Sequence, residues 1–280
     1  MKNFHEWYGL ARSLSDGIRE VLYAELKRTG FAGWSRRKDM KGAHKVDRLA
    51  NELLRSALRS RPCNLFLESG RPVLRKGAEF SLFIDPVDGS RNWDLGIGDP
   101  AIVIAAAPKA EEVSFADLGF VYVEGLRSGD RYYLKDGEVC FYSPRLQRQW
   151  TIPALKPAAK KVSEATIYLR HGYSLARPQL ERCLPLLRTC KDTRAVENTG
   201  MELCEVARDA AQGLVETRGG SDHFNLLAYP IVKSVGGLVT DLEGKDIGHL
   251  IIDPQGKQDF IACTNRHLLR DVLRLINSAA

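Results

Sequence analysis

Two aspartates stand three residues apart in the segment 84–90, which reads Ile-Asp-Pro-Val-Asp-Gly-Ser and follows an apolar run. Proline fixes the backbone between Asp85 and Asp88, so both carboxylates can converge where a predicted strand ends. Carboxylate and carbonyl oxygens are ligands for Mg²⁺, and a pair of metals about 3.5–4 Å apart needs a bridging carboxylate. A plain turn remains an alternative, because Asp, Pro and Gly are common turn residues and Asp88 could cap the next helix.

Gly89 and Ser90 follow this acidic pair and open a predicted short helix. Backbone N–H groups at a helix N-terminus bind anions such as phosphate. Carboxylates that bind metal beside such N–H groups form the arrangement that phosphoryl transfer uses.

A third carboxylate is expected from a distant part of the chain, and Asp222 is the best candidate. It follows Gly-Gly-Ser and precedes an apolar helical pattern, so we predict one helix over residues 222–235 with Asp222 in its first turn. The helix dipole favours an acid at this position, and for Asp222 alone that structural explanation is sufficient.

Taken together, these segments resemble the inositol monophosphatase family of lithium-sensitive, magnesium-dependent phosphomonoesterases. The family's first signature, Asp-Pro-Ile/Leu-Asp-Gly-Thr/Ser, is matched by residues 85–90. Its second signature is matched by Ser221-Asp222 and by the later Val235-Gly236-Gly237, and the stretch 199–216 resembles the helix and strand that precede it. Two ordered motifs are far more specific than either alone, and the resemblance covers nearly the whole chain.

The resemblance implies a set of metal ligands. By position, Asp85 would bridge the metals, Val87 would contribute its carbonyl, and Asp88 and Asp222 would hold the second metal. Glu68 would be the remaining metal ligand. Two or three Mg²⁺ ions and inhibition by Li⁺ are implied.

The resemblance also implies residues for catalysis and substrate binding. Gly89 and Ser90 would bind the phosphate through backbone N–H groups, and Ser90 with Asp47 would position and activate the attacking water. Glu216 lies near the position of the family's inositol-contacting glutamate. His223 flanks Asp222 and is a further candidate to face the substrate.

Some positions depart from the family pattern. The family has two adjacent glutamates where this chain reads Leu67-Glu68-Ser69, so either Glu68 is the ligand or the ligand position has become Leu67. Ser221 replaces the usual tryptophan, and Phe224 replaces a small residue. We therefore expect a different polar wall around the substrate and do not assign inositol monophosphate.

Hydrophobic periodicity predicts the elements that position these residues. The first half reads as two helices followed by mostly antiparallel strands, an α+β pattern with a mobile loop at 33–42. Its predicted elements are helices over 4–29 and 46–58 and strands over 65–67, 80–84, 101–107, 118–123, 131–134 and 139–142.

The second half alternates strands with helices, an α/β pattern. Its predicted elements are strands over 165–169, 213–217, 238–240 and 260–263 and helices over 178–188, 201–211, 222–235 and 267–276. A polar, proline-containing stretch at 143–161 is the predicted junction. We expect an N-terminal domain at 1–145 with the Asp85–Ser90 motif and a C-terminal domain at 146–280 with Asp222. The resemblance implies that they form a layered αβαβα sandwich of the inositol monophosphatase/fructose-1,6-bisphosphatase type, with the site between the halves.

Composition narrows the class of protein. The chain has 280 residues, 44% hydrophobic and 27% charged, with a net charge of +6, which is typical of a globular protein rather than a disordered one. It has no apolar run long enough to cross a membrane and no secretory pattern, so we expect a cytoplasmic protein. Six cysteines without C-x-x-C spacing predict neither a zinc site nor disulfides.

The leading hypothesis is a metal-dependent phosphatase that hydrolyses a small polyol, sugar or nucleotide phosphate. A bisphosphate nucleotidase or a fructose-1,6-bisphosphatase-like enzyme would share the same motifs. A regulatory homologue that binds RNA or a transcription complex is the alternative from another class, since the basic charge suits polyanions; nucleic acid is not the favoured partner. The resemblance also implies a homodimer.

Overall fold

Two β-sheets separate three layers of helices in the computed structural model, which describes residues 4–31, 42–110, 112–170 and 177–278. The predicted layered sandwich, with an α+β half and an α/β half, is confirmed. The predicted mobile loop at 33–42 lies almost wholly outside the described residues. None of the helices in the described ranges is long and apolar enough to cross a membrane.

The first half places two helices on one face of a seven-stranded sheet. The sheet's strands lie in chain order, and all neighbouring pairs are antiparallel except the parallel pair β1–β2. The elements are α1 (Phe4–Thr29), α2 (Gly42–Ala57), β1 (Cys63–Leu67), β2 (Phe80–Asp88), α3 (Ser90–Leu95), β3 (Ala101–Pro108), β4 (Phe120–Gly125), β5 (Arg131–Lys135), β6 (Glu138–Ser143) and β7 (Arg148–Ile152).

The second half forms a five-stranded mixed sheet with helices on both faces. The strand order is β11-β12-β10-β8-β9. The elements are β8 (Thr166–Leu169), α4 (Arg177–Thr189), β9 (Asp192–Arg194), α5 (Thr199–Ala207), β10 (Gly213–Asp222), α6 (Tyr229–Ser234), β11 (Leu238–Thr240), β12 (Lys257–Cys263) and α7 (Arg266–Asn277).

Three apolar clusters hold the layers together. Helices α1 and α2 bury residues such as Ile18 and Leu54 against the outer face of the first sheet. Helices α5 and α6 lie between the sheets, where Leu203 packs in a cluster that includes residues of both. Helices α4 and α7 cover the far face of the second sheet, where Val272 is fully buried. The middle cluster therefore fixes the two sheets relative to each other.

The predicted junction at 143–161 contains strand β7, which the sequence pattern did not show. Strand β7 pairs with β6 at the edge of the first sheet, and Arg148, Gln149 and Thr151 are exposed. An edge strand with a solvated face is polar, so the composition of β7 resembles that of a linker. The division of the chain at 145/146 stays a prediction, although β7 belongs to the sheet of the first half.

The single helix predicted over residues 222–235 is wrong. Asp222 is the last residue of β10, a 3-10 turn spans His223–Leu226, and α6 starts only at Tyr229. Pro230 explains the break, because proline has no N–H for a continuing helix but fits the first turn of a new one. Asp222 therefore stands at a strand end rather than inside a helix.

We predict that Leu54→Ala in α2 lowers the free energy of unfolding by about 2–5 kcal/mol, because it leaves a cavity in a fully buried site. Urea titration followed by circular dichroism measures the change. The control is Leu74→Ala, where the side chain is 71% exposed and the change should stay within about 0.5 kcal/mol. Equal effects at the two positions would contradict the packing described.

Candidate active site

The carboxyl ends of β1 and β2 bring Glu68 and Asp85 to one edge of the first sheet. The two strands are parallel, and Leu67 pairs in register with Ile84, so the next residues along each strand are neighbours. The Glu68 N–H also donates to the Ile84 carbonyl over 3.1 Å. Parallel pairing thus brings together two acids that are far apart in sequence.

Asp85 divides its two carboxylate oxygens between a local turn and the site. Its Oδ1 accepts a hydrogen bond from the Val87 N–H over 3.1 Å. Its Oδ2 is buried and has no hydrogen-bond partner among the described residues. Burying an unpaired carboxylate oxygen is unfavourable. A plain turn therefore accounts for the hydrogen bond of Oδ1 but not for the burial of Oδ2.

Asp88 is positioned by the second half of the chain rather than by the helix that follows it. Its Oδ2 accepts a hydrogen bond from the Gly200 N–H over 2.5 Å, where α5 begins. Helix α3 has Gly89 as its N-cap, and no side chain of the described residues caps it. The structure therefore excludes the alternative in which Asp88 serves only as a helix cap.

Gly89 and Gly200 allow the two halves to approach closely at this point. Gly89 has a φ of +84°, which side chains rarely adopt, and a Cβ there would lie 3.3 Å from the Glu197 carbonyl oxygen. A Cβ at Gly200 would lie 2.5 Å from Val103 Cγ2 and 3.2 Å from Asp88 Oδ2. Sequence reasoning assigned Gly89 to phosphate binding but missed Gly200.

The sequence left two alternatives for the metal-ligand position that follows β1, Glu68 or Leu67. The structure favours Glu68. Leu67 is 1% exposed and packs in the apolar cluster beneath α1 and α2. The Glu68 side chain instead lies beside Asp85 and within electrostatic range of Asp222. A side chain enclosed in apolar packing presents no oxygen to a cation, whereas Glu68 does.

Asp47 and Ser90 meet where α2 packs against α3. Asp47 lies in the second turn of α2, and the Ser90 hydroxyl donates a hydrogen bond to it. The other carboxylate oxygen, Asp47 Oδ1, is buried and lacks a hydrogen-bond partner within the described ranges. The predicted pair is thus brought together beside the Asp85–Ser90 motif.

Burial raises the pKa values of these acids, and repulsion from neighbouring carboxylates adds to the rise at Glu68 and Asp85. Burial raises the pKa of Asp47 to about 7, against the opposing hydrogen bond from Ser90. Burial, with Asp47, Asp222 and Asp88 nearby, raises the pKa of Glu68 to about 8. Burial, followed by Glu68, Asp88 and Asp47, raises the pKa of Asp85 well above its usual range.

Asp88 has a buried counter-charge in the second half of the chain. Burial raises its pKa to about 7, while the Arg170 guanidinium and the Gly200 N–H oppose that rise. Arg170 follows strand β8 and is almost fully buried. Sequence reasoning missed this arginine, because a charged residue after a short strand gives no signal of its place in the fold.

The donor set fits divalent cations, although the side chains are not arranged around one. Among the described residues, no three His, Cys, Asp or Glu side chains already form a group that could hold a metal. Asp222 forms a salt bridge with Lys257, and one Asp88 oxygen accepts from Gly200. The unpaired buried oxygens of Asp85 and Asp47 still provide what a hard cation requires.

A buried ion-pair network forms the wall beside Asp88. Arg170 binds Glu197 and Glu202 at 3.0 and 2.5 Å, and Arg218 binds Glu197 and Glu216 at 2.9 and 2.5 Å. Glu216 is 1% exposed and faces a guanidinium inside the protein. Its assignment as a substrate contact stays a prediction, which must account for this partner.

His223 is buried beneath the loop before β12. Its Nδ1 accepts a hydrogen bond from the Asp253 backbone N–H over 3.1 Å, and the backbone N–H of His223 donates to the Gly256 carbonyl over 3.2 Å. The imidazole packs edge-on against Phe115, and burial lowers its pKa. These contacts show a neutral imidazole that anchors a loop, and substrate contact by His223 stays a prediction.

Comparison with known proteins agrees with this geometry. The sequence model of the inositol monophosphatase family matches residues 5–279. The chain belongs to the inositol monophosphatase family. It is therefore a phosphatase, and so a hydrolase.

Individual relatives are distant but extensive. The chain is 25% identical to a fructose-1,6-bisphosphatase of Pyrococcus furiosus over 82% of both chains. It is also 25% identical to a fructose-1,6-bisphosphatase/inositol-1-monophosphatase of Thermococcus kodakarensis over 81% of this chain and 80% of that one. An inositol monophosphatase structure from Zymomonas mobilis has the same fold, with a TM-score of 0.73, 18% identity and coverage of 99% and 100%.

We predict that the metal-free protein loses stability as the pH rises from 6 to 8.5. The carboxyls of Asp47, Glu68 and Asp88 have raised pKa values in the folded state. The protonated carboxyls therefore stabilise the folded state fully below their unfolded-state pKa values, which are about 4. This stabilisation is lost as the pH rises through the folded-state pKa values of about 7–8. Thermal unfolding in EDTA should show the Tm falling over this range.

Glu68→Gln should flatten that pH dependence, because it removes one titrating member of the repelling group. Glu52→Gln is the matched control, since Glu52 is exposed on α2 and its loss should leave the slope unchanged. Parallel Tm curves for the wild type and Glu68→Gln would show that repulsion at this site does not limit stability.

Proposed function

We propose that the protein hydrolyses the phosphomonoester of a small polyol, sugar or nucleotide by Mg²⁺-dependent attack of water. The observation that carries this proposal is the convergence of five acids, two of which keep a buried oxygen without a hydrogen-bond partner among the described residues. Buried like charges are costly unless a cation neutralises them. A site built in this way is suited to hold divalent metal beside a phosphate.

Five groups would hold the cations: the carboxylates of Glu68, Asp85, Asp88 and Asp222 and the Val87 carbonyl. When bound, the metal would lower the pKa of a water molecule and stabilise the leaving oxygen. Each of these groups lies in a paired strand or directly after one, which limits how far it can move.

Asp47 and Ser90 would orient the attacking water, and the Asp47 carboxylate would accept its proton. Their hydrogen bond fixes the Asp47 carboxylate next to the start of α3. A pKa near 7 lets Asp47 take up a proton and release it again near neutral pH. The N–H groups of Gly89 and Ser90 would bind the phosphate oxygens at the same helix start.

The ion-pair network favours a substrate with one phosphate over a substrate that would place a second phosphate against this wall. Arg170 and Arg218 are paired with Glu197, Glu202 and Glu216, so the network carries no excess positive charge. A second phosphate bound there would meet three carboxylates. Relatives named for fructose-1,6-bisphosphate keep phosphorylated sugars among the compounds to test.

The decisive experiment is a panel of phosphorylated polyols, sugars and nucleotides assayed for phosphate release with and without Mg²⁺. We expect release from at least one monoester only when Mg²⁺ is present. Absence of release from the whole panel, together with binding of RNA, would instead support the regulatory alternative.

We predict that Asp88→Asn abolishes Mg²⁺-dependent release while the protein stays folded. The change removes the charge of a metal-binding carboxylate but keeps its shape and an oxygen that can accept from Gly200. Initial rates on the best compound of the panel measure the effect, and circular dichroism checks the fold. Asp16→Asn, in an exposed ion pair on α1, should retain the wild-type rate. Full activity of Asp88→Asn would overturn the ligand assignment.

We predict that Glu68→Gln raises the Mg²⁺ concentration for half-maximal rate. A weakened metal site is refilled by mass action, so the rate should recover at high Mg²⁺. Titration of Mg²⁺ against initial rate separates this from a general loss of activity. An unchanged half-saturation point would show that Glu68 does not bind the metal directly.

A further inference from the structure

Lys257 lies beside Asp222 on the neighbouring strand of the second sheet. Strands β10 and β12 are antiparallel, and their register pairs Asp222 with Lys257. The Lys257 Nζ and the Asp222 Oδ1 form a salt bridge. Because the register sets this pairing, the lysine stays beside the aspartate even when its side chain moves.

The loop before Lys257 is fixed by several contacts. The backbone N–H of His223 donates to the Gly256 carbonyl, and the backbone N–H of Asp253 donates to His223 Nδ1. A Cβ at Gly256 would lie 2.5 Å from the His223 ring, so the backbone approaches the imidazole closely. His223 therefore holds the start of β12 in the place from which Lys257 reaches Asp222.

We propose that Lys257 is an internal counter-ion that competes with the divalent cation for Asp222 and so sets the metal affinity of that end of the site. This inference rests on the proposed function, in which Asp222 binds metal. The ammonium neutralises an acid that lies within electrostatic range of Glu68. A cation that binds Asp222 must displace the ammonium or share the carboxylate with it.

The geometry allows this displacement. The Lys257 side chain is 54% exposed, and its flexible stem lets the ammonium withdraw into solvent. When a cation takes the Asp222 carboxylate, the attraction between Asp222 and the ammonium is given up. Coulomb's law for such a pair in a largely solvated site makes this cost worth roughly a factor of ten in metal affinity, and added salt should reduce it.

Calorimetric titration with MgCl₂ tests the proposal without an activity assay. In low-salt buffer, Lys257→Met should bind Mg²⁺ with a Kd roughly tenfold lower than the wild type, whereas Lys257→Arg, which keeps the charge, should not gain affinity. The difference should shrink as NaCl is raised. Lys233→Met is the matched control, because Lys233 pairs with Asp246 over 2.7 Å and should leave the Kd unchanged.

The outcomes separate this proposal from the proposed function. If the wild type binds no Mg²⁺, the proposed function fails. If it binds Mg²⁺ but Lys257→Met has the same Kd, or Lys233→Met changes it equally, the counter-ion proposal alone is overturned. In an Asp222→Asn background, Lys257→Met should bring much less than its tenfold gain; an undiminished gain would show that Lys257 does not act through Asp222.

Discussion

Repulsion between buried carboxylates is the constraint on which the structure depends. Burial raises the pKa values of Glu68, Asp85 and Asp88, and neighbouring carboxylates, Asp47 and Asp88 among them, raise those of Glu68 and Asp85 further. Free side chains would separate in water. They stay together because they lie on strand ends and a helix turn that are fixed by fully buried apolar packing. The hydrophobic core thus opposes an electrostatic force that would otherwise open the site.

The cations of the protein reduce this repulsion from two sides. Arg170 acts on Asp88 from the buried side, and Lys257 pairs with Asp222 from the solvent side. Asp85 is fully buried, and the largest charge effects on it come from other acids. The basic side chains therefore compensate the charge of Asp85 less than they compensate those of Asp88 and Asp222.

The sequence predicted what depends on local pattern. Apolar runs predicted the strand that carries Asp85, and the first helix was predicted to end at Thr29, as it does. The pairing of Asp47 with Ser90 came from a family resemblance rather than from spacing. Strand β7 was missed because its exposed face makes an edge strand as polar as a linker. The prediction that Asp222 lies in a helix was wrong, because the helical periodicity of the sequence continues through a segment that Pro230 interrupts.

Contacts between distant segments could not be predicted in the same way. The hydrogen bond from Gly200 to Asp88 and the pairing of Lys257 with Asp222 depend on strand register and on how the two sheets face each other. No local pattern encodes either. The same holds for the pairing of Arg218 with Glu197, which lies 21 residues earlier in the chain.

The strained residue Glu197 shows why this network is needed. It has a φ of 62°, a left-handed conformation that costs a non-glycine residue about 1–2 kcal/mol. Both guanidiniums, Arg170 and Arg218, bind its carboxylate, and its carbonyl lies against Gly89. The ion pairs therefore hold a strained loop against the turn at Gly89. Because both arginines are paired with carboxylates, they position this loop without leaving excess positive charge beside Asp88.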